Sequence, residues 1–226
     1  MRAPYLPNEI AGNFAPNFPA LVKEVKRHTF FDTYVEAAAT SPMTGDINFF
    51  QAPVGSAVAV TRWVTNFHGQ GGQLPTGQFF VIHRIGFEVT VDLINSVTTF
   101  TILNDAVLCQ RDAVRLGVLE VISGGSKTEI DNVPLSEFGA GSGHTLAGYG
   151  SGVAAAALPA GAGSGTLNNG VPVEQGMYDL ESMPLVMSPG ANWQFIAHYD
   201  AVGVVIPANT ILRLRLKLGG YLYRPV

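Results

Sequence analysis

Five histidines, a single cysteine and scattered carboxylates are the residues of this chain whose types suit chemistry, and their spacing decides which chemistry is open to them. A catalytic metal needs about three converging ligands. His28, His68, His83, His144 and His198 contain no His-x-His pair, and the nearest approach is His83-Arg84-Ile85-Gly86-Phe87-Glu88. His83 therefore reads as a partly buried strand residue with a satisfied hydrogen bond. Two strings, Gly139-Ala140-Gly141-Ser142-Gly143 and Gly161-Ala162-Gly163-Ser164-Gly165, are similar to the Gly-x-Ser-x-Gly of a nucleophile elbow. Neither follows a buried parallel strand and opens a helix, which is what lifts such a serine toward its base. A phosphate loop is excluded because no Gly-Lys-Ser or Gly-Lys-Thr occurs. Cys109 has Arg111 nearby, a neighbour that favours a thiolate, but a lone cysteine among apolar residues is more often packed in a core. Asp92, Asp105, Asp112, Asp131 and Asp200 show no spacing that pairs them for acid-base work. The expectation is a protein without catalytic residues, metal or cofactor.

Charge on a strand is the stronger pattern. In the run from Ile211 to Leu218 leucine alternates with cation at the two-residue period of a β-strand. Leu212, Leu214, Leu216 and Leu218 should line a core, leaving Arg213, Arg215 and Lys217 as a cationic ladder outside. Same-face neighbours on a strand lie roughly 7 Å apart, inside a Debye length at physiological salt. Such a row repels itself unless carboxylates meet it. With Arg224 just beyond, it holds 4 of the 13 Lys and Arg residues, and we read it as a contact for carboxylates of a neighbouring subunit. A solvated face that discourages edge pairing is the competing reading.

Several elements must position that ladder. Residues 1–18 hold Pro4, Pro7 and Pro16 with Phe14 and Phe18 between them, an extended arm whose aromatics want a groove. Pro19 opens a short helix expected to run to about Arg27, with Leu21, Val22 and Val25 on one face. Strands are expected at Thr29 to Glu36, Asp46 to Gln51, Ala57 to Asn66 and Gln78 to Val91. In the last, Phe79, Val81, His83, Ile85, Phe87, Val89 and Val91 form the core face. Thr98 or Thr99 caps a helix through about Cys109 whose inner face is Leu103, Val107 and Leu108. Strands follow at Val114 to Ile122 and Thr128 to Val133, joined by Gly124-Gly125. The uncharged, Gly/Ala-dominated stretch 139–170 reads as a flexible loop. Further strands lie near Asp179 to Val186, Trp193 to Tyr199 and Thr210 to Tyr223. About eight strands with one or two short helices inserted give an all-β, antiparallel two-sheet sandwich, a jelly roll being the specific expectation, with 19–226 as a single domain.

The totals narrow the function. Only 13% of the 226 residues are charged, about half the usual share, with 26 Gly and 14 Pro in their place. So sparse a charge favours association, and much of this surface is expected to be covered by other protein. A net charge of −4 and an arm without a basic run argue against a partner bound through bulk attraction to nucleic acid. The start carries no apolar signal region and no long apolar run follows, so synthesis and folding in a cytoplasm are expected. Trp63, Trp193, Tyr221 and Tyr223 leave open a carbohydrate-binding sandwich, such as a receptor-binding or spike component, because aromatic faces stack on sugars.

Three stretches together carry a resemblance. Gly72-Gln73-Leu74-Pro75-Thr76-Gly77-Gln78-Phe79-Phe80-Val81-Ile82 leads into a long strand. A capped segment and the strand pair around Ser123 to Lys127 then end in Val133-Pro134-Leu135. The chain closes on Leu218-Gly219-Gly220-Tyr221-Leu222-Tyr223-Arg224-Pro225-Val226. The layout, spread over most of the chain past residue 70, resembles single jelly-roll coat proteins of tailless icosahedral bacteriophages. The resemblance implies a capsid subunit of the virion, made in the host cytoplasm, whose partners are copies of itself and other capsid proteins. The missing basic arm implies no direct sequence-specific nucleic-acid contact, leaving genome packing to another protein or to an internal membrane beneath the shell.

Overall fold

A computed structural model describes residues 24–37, 42–57, 60–69, 71–97, 100–139, 145–149, 162–168, 177–180, 182–208 and 210–224. The arm with Phe14 and Phe18 lies outside them. The elements run β1 (Glu24–Ala37), β2 (Met43–Phe49), β3 (Phe79–Val97), α1 (Phe100–Arg115), β4 (Gly117–Ser123), β5 (Lys127–Pro134), a short 3₁₀ turn (Leu135–Phe138), β6 (Thr145–Tyr149), β7 (Ala162–Asn168), β8 (Tyr178–Asp179), β9 (Leu185–Met187), β10 (Trp193–Val204) and β11 (Thr210–Arg224). The larger sheet has the order β1-β11-β3-β7-β6, with β8 and β9 also on β3, and the smaller has β2-β10-β4-β5. Every pair of these strands is antiparallel. The chain is an all-β sandwich of two sheets with one α-helix among the described residues.

The expected alternation in β11 holds. Leu212, Leu214, Leu216 and Leu218 are fully buried and meet Val91, Val89, Phe87 and Ile85 of β3 across the ladder. Phe49, Leu119, Val121 and Phe195 of the smaller sheet close the same core. One end is aromatic, with Phe30 edge-on to Phe80 at 4.8 Å and to Phe67 at 5.4 Å, and Phe50 edge-on to Phe195 at 5.4 Å. Such edge-to-face contacts add to the area each ring buries.

The single core face expected for β3 is wrong for its first half. Phe80 and Ile82 join the main core, whereas Phe79 and Val81 pack with Tyr223 in a separate cluster. The register explains the switch: Gly219 pairs with Arg84 but Gly220 pairs with Ile82, so His83 is an extra residue on β3. One inserted residue flips every later side chain to the other face. Gly220 makes the bulge possible, since a Cβ there would lie 1.9 Å from the Val81 carbonyl oxygen.

Other expectations also yield to tertiary pairing. Residues 24–27 are strand, not helix, because they pair with Tyr221 to Arg224 of β11; neighbours across a sheet outweigh the helix preference of a Lys/Glu/Arg-rich segment. The rest of that expected helix, 19–23, is outside the described residues. Ala57 to Asn66 is no strand among the described residues but a series of turns, including Val64 N–H to Thr61 O at 2.9 Å. Its end patches the open edge of β1 through side chains. Asn66 Oδ1 accepts from the Phe31 N–H at 2.7 Å, and the Asn66 amide donates to Thr29 O at 2.7 Å. On the core side of β1, Asp32 accepts from the Phe50 N–H at 2.5 Å, holding Phe50 at a φ of 61°. Burial raises the Asp32 pKa, opposed by hydrogen bonds from Phe50, Thr33 and Thr65.

The helix is longer than expected and buries a different face. Ala106, Cys109, Gln110 and Ala113 point inward, while Val107 and Leu108 are half-buried and the Leu103 side chain is outside the description. Because α1 continues to Arg115, the following strand starts at Gly117 and not Val114. Small residues let the helix sit close to β3, and the Gln110 amide donates to Val89 O at 3.2 Å. The expected Gly/Ala loop contains two strands among its described residues, because β6 pairs with β7 and β7 extends β3's sheet. Residues 150–161 fall outside the description.

Candidate functional site

The outer face of the larger sheet carries the cationic ladder, and the carboxylates that meet it come from this chain. Equal parity brings them together: on β3, Glu88 and Asp92 share the outer face with Arg84, because Arg215 pairs with Glu88 and Lys217 with Gly86 in the register. Arg213 Nε lies 2.6 Å from Asp92 Oδ2. Lys217 Nζ lies 2.7 Å from Glu88 Oε2, and Arg215 Nη1 approaches the same oxygen at 3.9 Å. Arg215 is the best anchored of the three. Its Nε donates to the Thr33 hydroxyl at 2.9 Å, its Nη2 donates to the Trp63 carbonyl at 3.2 Å, and its guanidinium stacks 5.0 Å from the Phe31 ring centroid. Exposure falls along the row from 40% of the Arg213 side chain to 19% of Lys217.

Arg224 does not extend this ladder. It follows Leu222 on the opposite parity, so it sits at the end of the core-side face, where its charge, with Lys26 and His68, joins burial in lowering the pKa of His28. Adjacency in sequence joined it to the row; the period of two separates them.

A second constellation, on the outer face of the smaller sheet, escaped the reading of the sequence. His198 of β10 stands between Asp46 of β2 and Glu120 of β4, with Nδ1 at 2.7 Å from Asp46 Oδ1 and Nε2 at 2.9 Å from Glu120 Oε2. Partial burial works against the charged imidazole, but the hydrogen bonds and charges of the two carboxylates outweigh it, and the His198 pKa is raised. All three residues lie in expected strands, so the missing signal was strand order alone.

Burial, with Asp112 nearby, pushes the Cys109 thiol up to about 12, far from a reactive thiolate. His83 is buried and edge-on to Tyr221 at 5.4 Å. Ser164 lies within β7, opposite Tyr149, and no elbow forms around it. Among the described residues no group of three or more His, Cys, Asp or Glu is placed to hold a metal ion. The tryptophans divide: Trp193 is 3% exposed and stacks on Phe195, while Trp63 is 85% exposed. No helix of the described residues is long and apolar enough to cross a membrane. Comparison with family models, with characterised proteins and with solved structures gives no match.

Proposed function

We propose that this chain is a coat subunit of an icosahedral bacteriophage shell, a single jelly roll that acts by tiling with copies of itself and with other capsid proteins. The observation that carries the reading is the pairing pattern. With β6 to β9 counted as one position, the chain passes through eight strand positions in which the first pairs with the last, the second with the seventh, the third with the sixth and the fourth with the fifth. A long antiparallel ribbon folded over so that alternate pairs fall in opposite sheets is the winding of a jelly roll. Exposed apolar side chains add support. Trp63, Met183 and Val205 on turns and loops, and Val202 near the end of β10, are 67% to 85% exposed, where a neighbouring subunit would bury them. The function is geometric, and the half-exposed Arg213 end of the ladder and the Phe14/Phe18 arm are its proposed contacts. Such a subunit would be made in a host cytoplasm and end in the virion, with or without an internal membrane beneath.

Electron microscopy and sedimentation of the full chain test this reading. Closed particles of uniform size are expected, and deletion of residues 1–18 is expected to leave a folded, soluble protein that forms none. A monomer under all conditions, with no partner in its native source, defeats the proposal. The carbohydrate-binding alternative keeps one supporting observation, the exposed Trp63; glycan binding that disappears in Trp63→Ala would favour it.

A further inference from the structure

Gly219 occupies the middle of the larger sheet's outer face, paired with Thr29 of β1 on one side and Arg84 of β3 on the other. Neither the backbone nor the packing requires a glycine here. Its φ is outside the left-handed region, and a Cβ would come no nearer than 3.7 Å to the Arg84 Cβ, an ordinary contact. Gly220 next to it is compulsory, as the bulge demands. What Gly219 contributes is a missing side chain, and the result is a dent in the outer row of β11 between Lys217 and Tyr221.

The dent belongs to a cleft of about 350 Å³. Three cations from three adjacent strands line it: Arg27 of β1, Lys217 of β11 and Arg84 of β3. Among the described residues no carboxylate lines it. Phe31 and Met177 supply apolar walls, and Thr29 supplies a hydroxyl. Among the described residues, Glu88 holds Lys217 at 2.7 Å and Asp179 pairs with Arg84 across β3 and β8, and neither lines the dent.

We propose that this dent binds a single phosphate group. Two guanidinium groups offer forked donors that match a tetrahedral oxyanion, and the lysine adds a compact charge. A doubly charged anion makes fuller use of three cations than a carboxylate does, and the apolar walls strengthen each attraction by lowering the local dielectric. The site is one bounded dent and not a track across the sheet, so it takes one phosphate at a time, either free or as one link of a nucleic-acid backbone. The inference stands apart from the coat-protein reading, since neither requires the other.

Calorimetric titration of the full chain with inorganic phosphate, followed by a short single-stranded oligonucleotide, tests it. Saturable phosphate binding is expected. Gly219→Val should weaken it at least tenfold without lowering the melting temperature, because a Cβ there meets its neighbours at ordinary contact distances and a β-branched residue suits a strand. Arg27→Gln, at an exposed position, should weaken it by about tenfold, the loss of one charge-assisted hydrogen bond. Phosphate binding that the oligonucleotide fails to displace assigns a free phosphate; displacement by the oligonucleotide assigns the backbone. Absence of saturable binding overturns the proposal, as does binding that both variants retain at full strength. Acetate competing equally at matched ionic strength overturns the assignment of phosphate.

Discussion

The two outer faces of the sandwich handle charge in opposite ways. On the larger sheet, long cationic side chains are interleaved with carboxylates from the next strand: Arg213 with Asp92, and Lys217 and Arg215 with Glu88. On the smaller sheet the carboxylates outnumber the cation, and a single histidine is shared between Asp46 and Glu120. Guanidinium groups do not titrate in the physiological range, whereas an imidazole does. One face thus presents a fixed pattern of charge while the other changes with pH. For a protein proposed to work through its surfaces, the first suits a permanent contact and the second a contact that responds to its surroundings.

Breaking the fixed pattern at its centre should have the largest effect. Glu88 is only 13% exposed and serves two cations, with Lys217 beside it at 19%. Glu88→Ala leaves a mostly covered ammonium without its carboxylate, and the expected loss is about 2 to 3 kcal/mol. Thermal or denaturant unfolding measures it. Pairing Glu88→Ala with Lys217→Met should recover part of the loss, because removing both charges leaves neither stranded. A Glu88→Ala protein as stable as the original would mean that the face is solvated and the interleaving incidental.

That contrast was half legible in the sequence. The alternation from Leu212 to Leu218 states both the buried face and the charged one, because a period of two is a local property of the chain. Glu88 and Asp92 share a parity within β3, but which strand lies next to β11 is not local, so the ladder's partners stayed hidden and were assigned to a neighbouring subunit. The same blindness to strand order concealed His198, whose two carboxylates lie 152 and 78 residues away in sequence. The bulge at His83 was hidden for a related reason: an inserted residue is visible only against the partner strand. At residues 24–27 and 57–66, local composition pointed to a helix and to a strand, and pairing with β11 and patching of the β1 edge decided otherwise.

The exposed end of the same ladder should matter much less to stability. Arg213 and Asp92 form a short pair, but their side chains are 40% and 25% exposed, and ion pairs so placed contribute about 0.2 to 1 kcal/mol. Arg213→Ala should therefore lower stability by less than about 1 kcal/mol, and raised salt should shrink the difference further. If Arg213 is a subunit contact, the same variant will disturb assembly far more than unfolding. Comparing particle yield with the unfolding midpoint separates the two roles, and proportionate losses in both would remove Arg213 from the proposed interface.

The smallest effect belongs to the titrating face, and its sign is fixed by geometry. The His198 pKa is raised above the 6.5 of an unfolded chain, so the folded protein holds the proton more tightly than the unfolded one. The stabilising contribution is complete below pH 6.5 and is lost as pH rises through the folded value. Above that, one of the two imidazole nitrogens carries no proton, and either Asp46 or Glu120 faces a lone pair. Asp46 is 61% exposed, so solvent screens much of the pair and the change should stay at about half a kcal/mol. Denaturant midpoints between pH 6 and pH 8 should fall slightly for the unaltered chain and more weakly for His198→Gln, whose amide does not titrate. Equal slopes in the two proteins would show that the pH response originates elsewhere, and the two outer faces would then differ in composition but not in their response to pH.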